Sequence, residues 1–224
     1  MNKCQMTNDE WNCDNHSAIR HSSFVIKFGV IILGAGASSR MGRPKLLMPW
    51  RDTTVIGHLI AQWRELGSAQ IAIVLRPDDS ALAAELDRLH FPKSDRIENA
   101  RPERGMFSSI VCAADWAGWK PEISSWAIAL GDQPHLRTET LRALLDFHSA
   151  HADAICQPEF GGHARHPVIL PRKVFDTLKN SRADSLKDFL KLVPCRSVQH
   201  VINDPGLTLD LDTPEDYKQA RASI

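Results

Sequence analysis

Two periodicities alternate along this chain. Short apolar runs, "FVIKFGVIIL" (24–33), "AQIAIVL" (69–75) and "SWAIAL" (125–130), have the length and composition of buried strands, with "DRIENA" a weaker one. Between them apolar residues recur at helical spacing. "TVIGHLIAQWRELG" sets Val55, Leu59, Ile60 and Trp63 on one face and closes with Gly67. "DDSALAAELDRL" and "GMFSSIVCAADWAG" read as further helices, and "RTETLRALLDFHSAH" as one capped by Thr138, with Leu141, Leu144, Leu145 and His148 turned inward. Strands that alternate with helices pair in parallel, because a parallel connection needs a crossover long enough to hold a helix. The expected class is α/β, layered, with a mostly parallel sheet. The alternation loosens at "DAICQPEFGGHARHPVILPRKVF", where short strands predict an antiparallel excursion and hence a mixed sheet. "SLKDFLKL" adds a helix, and "LTLDLDTPEDYKQARA" predicts a final turn or strand entering a terminal helix that starts at Pro214.

The 224 residues suit one domain, with 24–224 as its body and the polar stretch 1–23 as a flexible extension. Lys plus Arg and Asp plus Glu each number 27, so no global field selects nucleic acid or an acidic membrane. A charged partner must be met by local clustering, which points to a small molecule. Cys4, Cys13, Cys112, Cys156 and Cys195 lie scattered without the spacing of zinc ligands, which predicts a reduced, cytoplasmic protein. The apolar runs are too short to cross a bilayer, and residues 1–23 lack the apolar block of a signal peptide.

Candidate chemistry gathers where the first strand ends. In "GVIILGAGASSRMGRPKLL" (29–47), Gly34 and Gly36 let backbone N–H groups approach an anion, while Arg40 and Lys45 supply positive charge. In open parallel sheets ligands collect outside the carboxyl ends of the strands, where this loop falls. It is not a Walker loop, since Met41 stands five positions after Gly36. Nor is it the dinucleotide fingerprint: only Ser39 approaches the third small residue, and the second strand ends in Leu75 and Arg76 rather than an acid. On the first glycines alone, a connecting turn with solvent-exposed Arg40 and Lys45 accounts for the loop equally well.

Together with "NARPERGMFSSI", "LGDQP", "HPVIL" and "DLDTPEDY", in that order over most of residues 29–217, "LGAGASSRMGRPKLL" resembles the signature of the MobA-like nucleotidyltransferases, and within them the molybdenum cofactor cytidylyltransferase branch. The resemblance implies a three-layer, Rossmann-like nucleotidyltransferase fold. It further implies Mg²⁺-dependent transfer of CMP from CTP to molybdopterin, a phosphorylated pterin, with release of pyrophosphate, and a molybdoenzyme or its maturation chaperone as downstream partner. Residue chemistry agrees. A phosphate monoester, with a second pKa of about 6, is mostly ionised near neutrality. Such an acceptor needs charge neutralisation and alignment more than a strong base.

By motif matching, backbone groups at Leu33, Gly34, Ala35 and Gly36 hold base, ribose and phosphates, and Arg40 and Lys45 contact the triphosphate. Asn99, Gly105 and Ser108 hydrogen-bond base and sugar, while Ser109 caps or back-bonds within its helix. Asp132 binds Mg²⁺ with Asp210, and Asp212 stands in reserve; alternation turns Leu211 the opposite way and puts both acids on one face. Plainer readings stand beside these: Asp132 forms a turn with Pro134, the serines cap a helix, and one of the two later acids caps the helix at Pro214. The chain departs from the family at two places. Gly34 replaces a common alanine, which should loosen the turn, and Arg165 stands where glycine is usual. Arg165 either obstructs the acceptor or binds a different anionic one, and His166 orients the acceptor or packs beside Pro167. Use of GTP, another small phosphorylated acceptor, and a non-catalytic cofactor-binding accessory protein remain as alternatives.

Overall fold

A computed structural model describes residues 26–36 and 41–222. The expected extension at 1–23 and the start of the first strand at Phe24 lie outside the described residues. β1 (Phe28–Leu33) leads to a hairpin of β2 (Pro49–Trp50) and β3 (Thr53–Thr54). The hairpin feeds α1 (Val55–Glu65), whose N-cap Thr54 accepts a hydrogen bond from the Gly57 amide. Val55, Leu59, Ile60 and Trp63 form its buried face, and Gly67 ends it at φ +84°. β4 (Gln70–Leu75), α2 (Ser80–Arg88), β5 (Arg96–Glu98), α3 (Met106–Asp115), β6 (Ser125–Leu130) and α4 (Thr138–Ala150) continue the alternation. β7 (Ile155–Phe160), β8 (His163–Ala164), β9 (Val168–Pro171), α5 (Arg172–Leu178), α6 (Leu186–Leu192), β10 (Ser197–Val201) and α7 (Pro214–Ala222) follow.

Eight of the ten strands make one sheet in the order β10-β7-β9-β6-β1-β4-β5, with β8 paired to β7, and β2 and β3 form a separate two-stranded sheet. β1 lies between β4 and β6, parallel to both, with Ile31 opposite Ala72 on one side and Ile128 on the other. β9 runs antiparallel to β6 and β7, β8 antiparallel to β7, and β10 returns parallel to β7. The class is therefore α/β with a mostly parallel, mixed, Rossmann-like sheet, and the excursion falls where the loosened pattern predicts it.

Alternation along the strands divides the core into two sides. Val30, Ile32 and Ile73 pack with Trp63 of α1, Leu86 of α2, Leu144 of α4 and Ala220 of α7. Ile31, Val74 and Ile128 pack with Ile110 of α3, Phe175 of α5 and Phe189 of α6. Helices thus cover both faces in three layers. Burying each such aliphatic side chain contributes about 1.5–3 kcal/mol.

One expectation is corrected. Arg137, whose side chain makes no capping hydrogen bond, is the N-cap of α4, while Thr138 opens the helix and accepts from Gln62 Nε2. Of the expected turn or strand before α7 the structure has the turn, a 3-10 turn at Pro205–Thr208, and the helix starts at Pro214 as predicted. The hairpin β2–β3 and the strand β10 add to the predicted elements. Among the described residues no helix is long and apolar enough to cross a membrane.

Candidate active site

The candidate site begins with two adjacent strand ends. Leu33 and Leu130 pair in register, so the chain leaves β1 and β6 at the same edge of the sheet. Gly131 lies so close to β1 that a Cβ there would stand 2.6 Å from the Leu33 carbonyl oxygen. Gly34 donates its N–H to the Val74 oxygen at 2.8 Å, and a Cβ on it would stand 3.0 Å from that oxygen. Gly34 therefore fits a close junction of β1 and β4.

Above this edge is a cavity of about 590 Å³, ample for a small ligand. Leu33, Gly34, Ala35 and Gly36 form one wall with Lys45; Leu130, Gly131 and Asp132 form another. Gly105, at φ +85°, turns the chain into α3 on a third side, where Pro102, Glu103, Met106 and Ser109 complete the lining.

Asp132 sits at the rim among charges. Its Oδ2 is 3.5 Å from Lys45 Nζ, which is 2.6 Å from Asp212 Oδ1. The Leu211 N–H donates to the Asp132 carbonyl at 3.0 Å, bringing the C-terminal acids to this rim. Leu211 is fully buried, whereas Asp210 is exposed and Asp212 partly so, in line with the predicted alternation. Asp210 Oδ1 accepts from Gln133 Nε2 at 2.9 Å. Burial, and then the charge of Asp210, push the Asp132 carboxyl above the usual carboxylate range against the pull of Lys45.

Asp132 Oδ1 is buried, and among the described residues it has no hydrogen-bond donor. Buried polar atoms are ordinarily paired. An orphaned carboxylate oxygen beside a second carboxylate fits a hard divalent cation, which takes one or two carboxylates and completes its shell with phosphate oxygens and water. Among the described residues no group of three or more His, Cys, Asp or Glu could hold a metal on side chains alone. That is compatible with an ion shared with a phosphorylated substrate.

Seven of the expected residues line the one cavity: Leu33, Gly34, Ala35, Gly36, Lys45, Gly105 and Asp132. Arg40 lies outside the described residues. Asn99 and Ser108 are not on the wall. Asn99 is 1% exposed and works as an internal clasp, donating to Ser108 Oγ and Ser109 Oγ and accepting from the Arg101 N–H. Ser108 bonds back to the Gly105 oxygen, and Ser109 faces the cavity, so the expected parts of the two serines are exchanged.

A profile of the MobA-like NTP transferase domain matches residues 30–201, which include the glycine turn, Lys45 and Asp132. The chain belongs to the MobA-like NTP transferase family. It is a nucleotidyltransferase relative by sequence and by fold. It is 24% identical to the molybdenum cofactor cytidylyltransferase of Escherichia coli (strain K12), over 85% of this chain and 94% of that one. It is 23% identical to the probable molybdenum cofactor guanylyltransferase of Bacillus mycoides (strain KBAB4), over 87% of this chain and 96% of that one. The crystal structure of Rv0371c from Mycobacterium tuberculosis H37Rv matches with a TM-score of 0.70 and 25% identity, covering 88% of this chain and 100% of that one. A manganese complex of Rv0371c matches at TM-score 0.62 and 27% identity, with coverages of 88% and 100%.

In this MobA-like chain Asp210 and Asp212 fall beyond the matched span, and the fold returns them to Asp132. Arg165 and His166 lie on the connection from β8 to β9, off the cavity wall. His166 Nδ1 is 3.4 Å from the Ile128 carbonyl; burial lowers its pKa, while that carbonyl and Asp210 pull it back. Arg165 Nε is buried without a hydrogen-bond partner. Sequence reasoning missed Arg76, Glu103 and Met106, which also line the cavity. For Arg76 the signal was its place directly after β4, at the carboxyl edge.

Proposed function

We propose that this MobA-like protein transfers CMP from CTP to the phosphate of molybdopterin, releasing pyrophosphate, with Mg²⁺ held by Asp132 and Asp210. The observation that carries the reading is Asp132: a half-buried carboxylate whose inner oxygen, Oδ1, has no donor among the described residues, on the wall of the cavity, between a lysine and two further acids. When bound, the cation supplies positive charge at the α-phosphate. Backbone groups of Leu33 to Gly36 hold the nucleotide, with Gly105 and Ser109 on the opposite wall. Lys45, oriented by Asp212, brings an ammonium to the triphosphate as negative charge develops on the leaving pyrophosphate. Gln133 orients Asp210. Arg40 contacts the triphosphate by motif position.

No histidine or cysteine is among the described residues lining the cavity, which suits an acceptor phosphate already ionised at neutral pH. His166 and Arg165 form the acceptor side, close to Asp210, and the buried Arg165 Nε supports an anionic acceptor there. GTP is the second reading, favoured by the nearly equal likeness to the guanylyltransferase.

The test is pyrophosphate release by the purified protein with molybdopterin and Mg²⁺, comparing CTP with GTP and adding a chelator. The expected result is faster use of CTP, abolished by chelation. Preference for GTP overturns the base assignment. Absence of pyrophosphate with either nucleotide leaves a cofactor-binding accessory protein.

A further inference from the structure

A second cavity, of about 450 Å³, adjoins the first on the far side of the glycine turn. Five residues line both: Gly34, Gly36, Lys45, Leu46 and Arg76. Lys45 and Arg76 are the cations among them, and Arg43 adds a third charge within the second cavity. In a chain whose 27 basic and 27 acidic side chains balance, this is a local cationic cluster. Of the acids on its wall, Asp79 caps α2 through the Leu82 N–H and Asp78 pairs with Arg76.

Arg76 is held in a defined orientation. Its Nε donates to Asp78 Oδ1 at 3.0 Å and its Nη2 to Asp78 Oδ2 at 2.7 Å, a bidentate grip that leaves the Nη1 edge of a planar guanidinium for another anion. Such an exposed pair stabilises a fold little. Its geometric effect is to orient a cation on the wall that the two cavities share with Lys45, whose own charge faces Asp132 and Asp212.

We propose that Arg76 is a binding residue for the nucleotide's polyphosphate, gripping it where it passes from the first cavity into the second, with Asp78 as its positioning residue. The inference rests on the reading of the first cavity as a nucleotide site. A nucleoside triphosphate extended across both cavities passes between Lys45 and Arg76, whereas a nucleoside monophosphate confined to the first does not need the second cation. Arg76 therefore discriminates by phosphate number.

The experiment is calorimetric titration of CTP, GTP and CMP, with Mg²⁺, into the wild type, Arg76→Gln and Arg76→Lys, each checked for thermal unfolding. Losing a charge-assisted contact should weaken CTP binding about tenfold in Arg76→Gln and CMP binding by less than about twofold. Should Arg76→Gln not fold, Arg76→Lys supplies the same contrast, with a loss of about threefold for CTP and none for CMP. Unchanged CTP affinity in the variants, or equal losses for CTP and CMP, overturns the inference and leaves the nucleotide site standing. A wild type that binds neither CTP nor GTP overturns the nucleotide reading itself.

Discussion

Two aspartates, Asp204 in the interior and Asp132 at the cavity rim, follow opposite logic. Asp204 accepts hydrogen bonds from Thr140 Oγ1, the Gly206 N–H at 3.0 Å and Arg137 Nε at 3.3 Å. Burial alone would raise its pKa, but these donors outweigh burial and hold it below the usual carboxylate range. Asp132 has a buried oxygen without a donor, and burial with Asp210 pushes it the other way. The corner at Asp204 is complete within the chain and ties the loop before α7 to α4. At the Asp132 rim, by contrast, one buried oxygen has no donor among the described residues. Neighbouring carboxylates are told apart by the donors the fold gives them.

The strongest way to break this contrast is Asp132→Asn. Turnover should fall about a thousandfold, as when a group stabilising transition-state charge is removed, with the fold intact. Steady-state pyrophosphate release checks it, and turnover near the wild-type rate would make Asp132 structural. Lys45→Ala should lower turnover about a hundredfold in the same assay. Asp204→Ala should instead cost about 2 kcal/mol of stability in urea unfolding, because three donors lose one acceptor, while turnover per folded molecule stays unchanged.

The smallest effect has the sharpest sign. Asp132 has a raised pKa, so its destabilisation is present above the folded pKa and vanishes as pH falls below the unfolded value. Asp132→Asn should therefore melt about 2–3 °C above the wild type at neutral pH, an advantage that closes toward pH 4. Asp204 runs the opposite way: its stabilisation is present above the unfolded carboxylate pKa and is lost as pH falls through its lowered value. Melting curves from pH 7 to 3 should bring Asp132→Asn down toward the wild type, whereas the deficit of Asp204→Ala should narrow only in acid and persist in part, because alanine also removes the acceptor that a protonated Asp204 keeps.

Much of the scaffold was legible because it is built from strong patterns. β1, β4 and β6 are apolar runs buried on both faces, and α1 keeps its stripe from Val55 to Trp63. β10 was missed because "SVQHV" lies half in solvent and carries no apolar run, and each strand of the hairpin β2–β3 is two residues long. At the site, Asp132 and the glycine turn were legible from their place after strands. The exchange between Ser108 and Ser109 was not, since one residue step on a helix rotates a side chain by about 100° and the phase was set by Gly105. Alternation gave Asp210 and Asp212 a common side; that Gln133 takes one and Lys45 the other depends on a long-range meeting of loops. Arg76 has neither periodicity nor partner spacing to betray it.

Gly131 gives the carboxyl edge a fixed gauge. With no room for even a methyl group between it and the end of β1, the main chain, with the Leu46 side chain against both glycines, sets the spacing between the turn at Gly34 and the acid at Asp132. Substitutions elsewhere in the interior can soften or stiffen the protein while leaving that spacing unaltered. An alanine at this one position would act as a wedge, resetting it for whatever spans the gap.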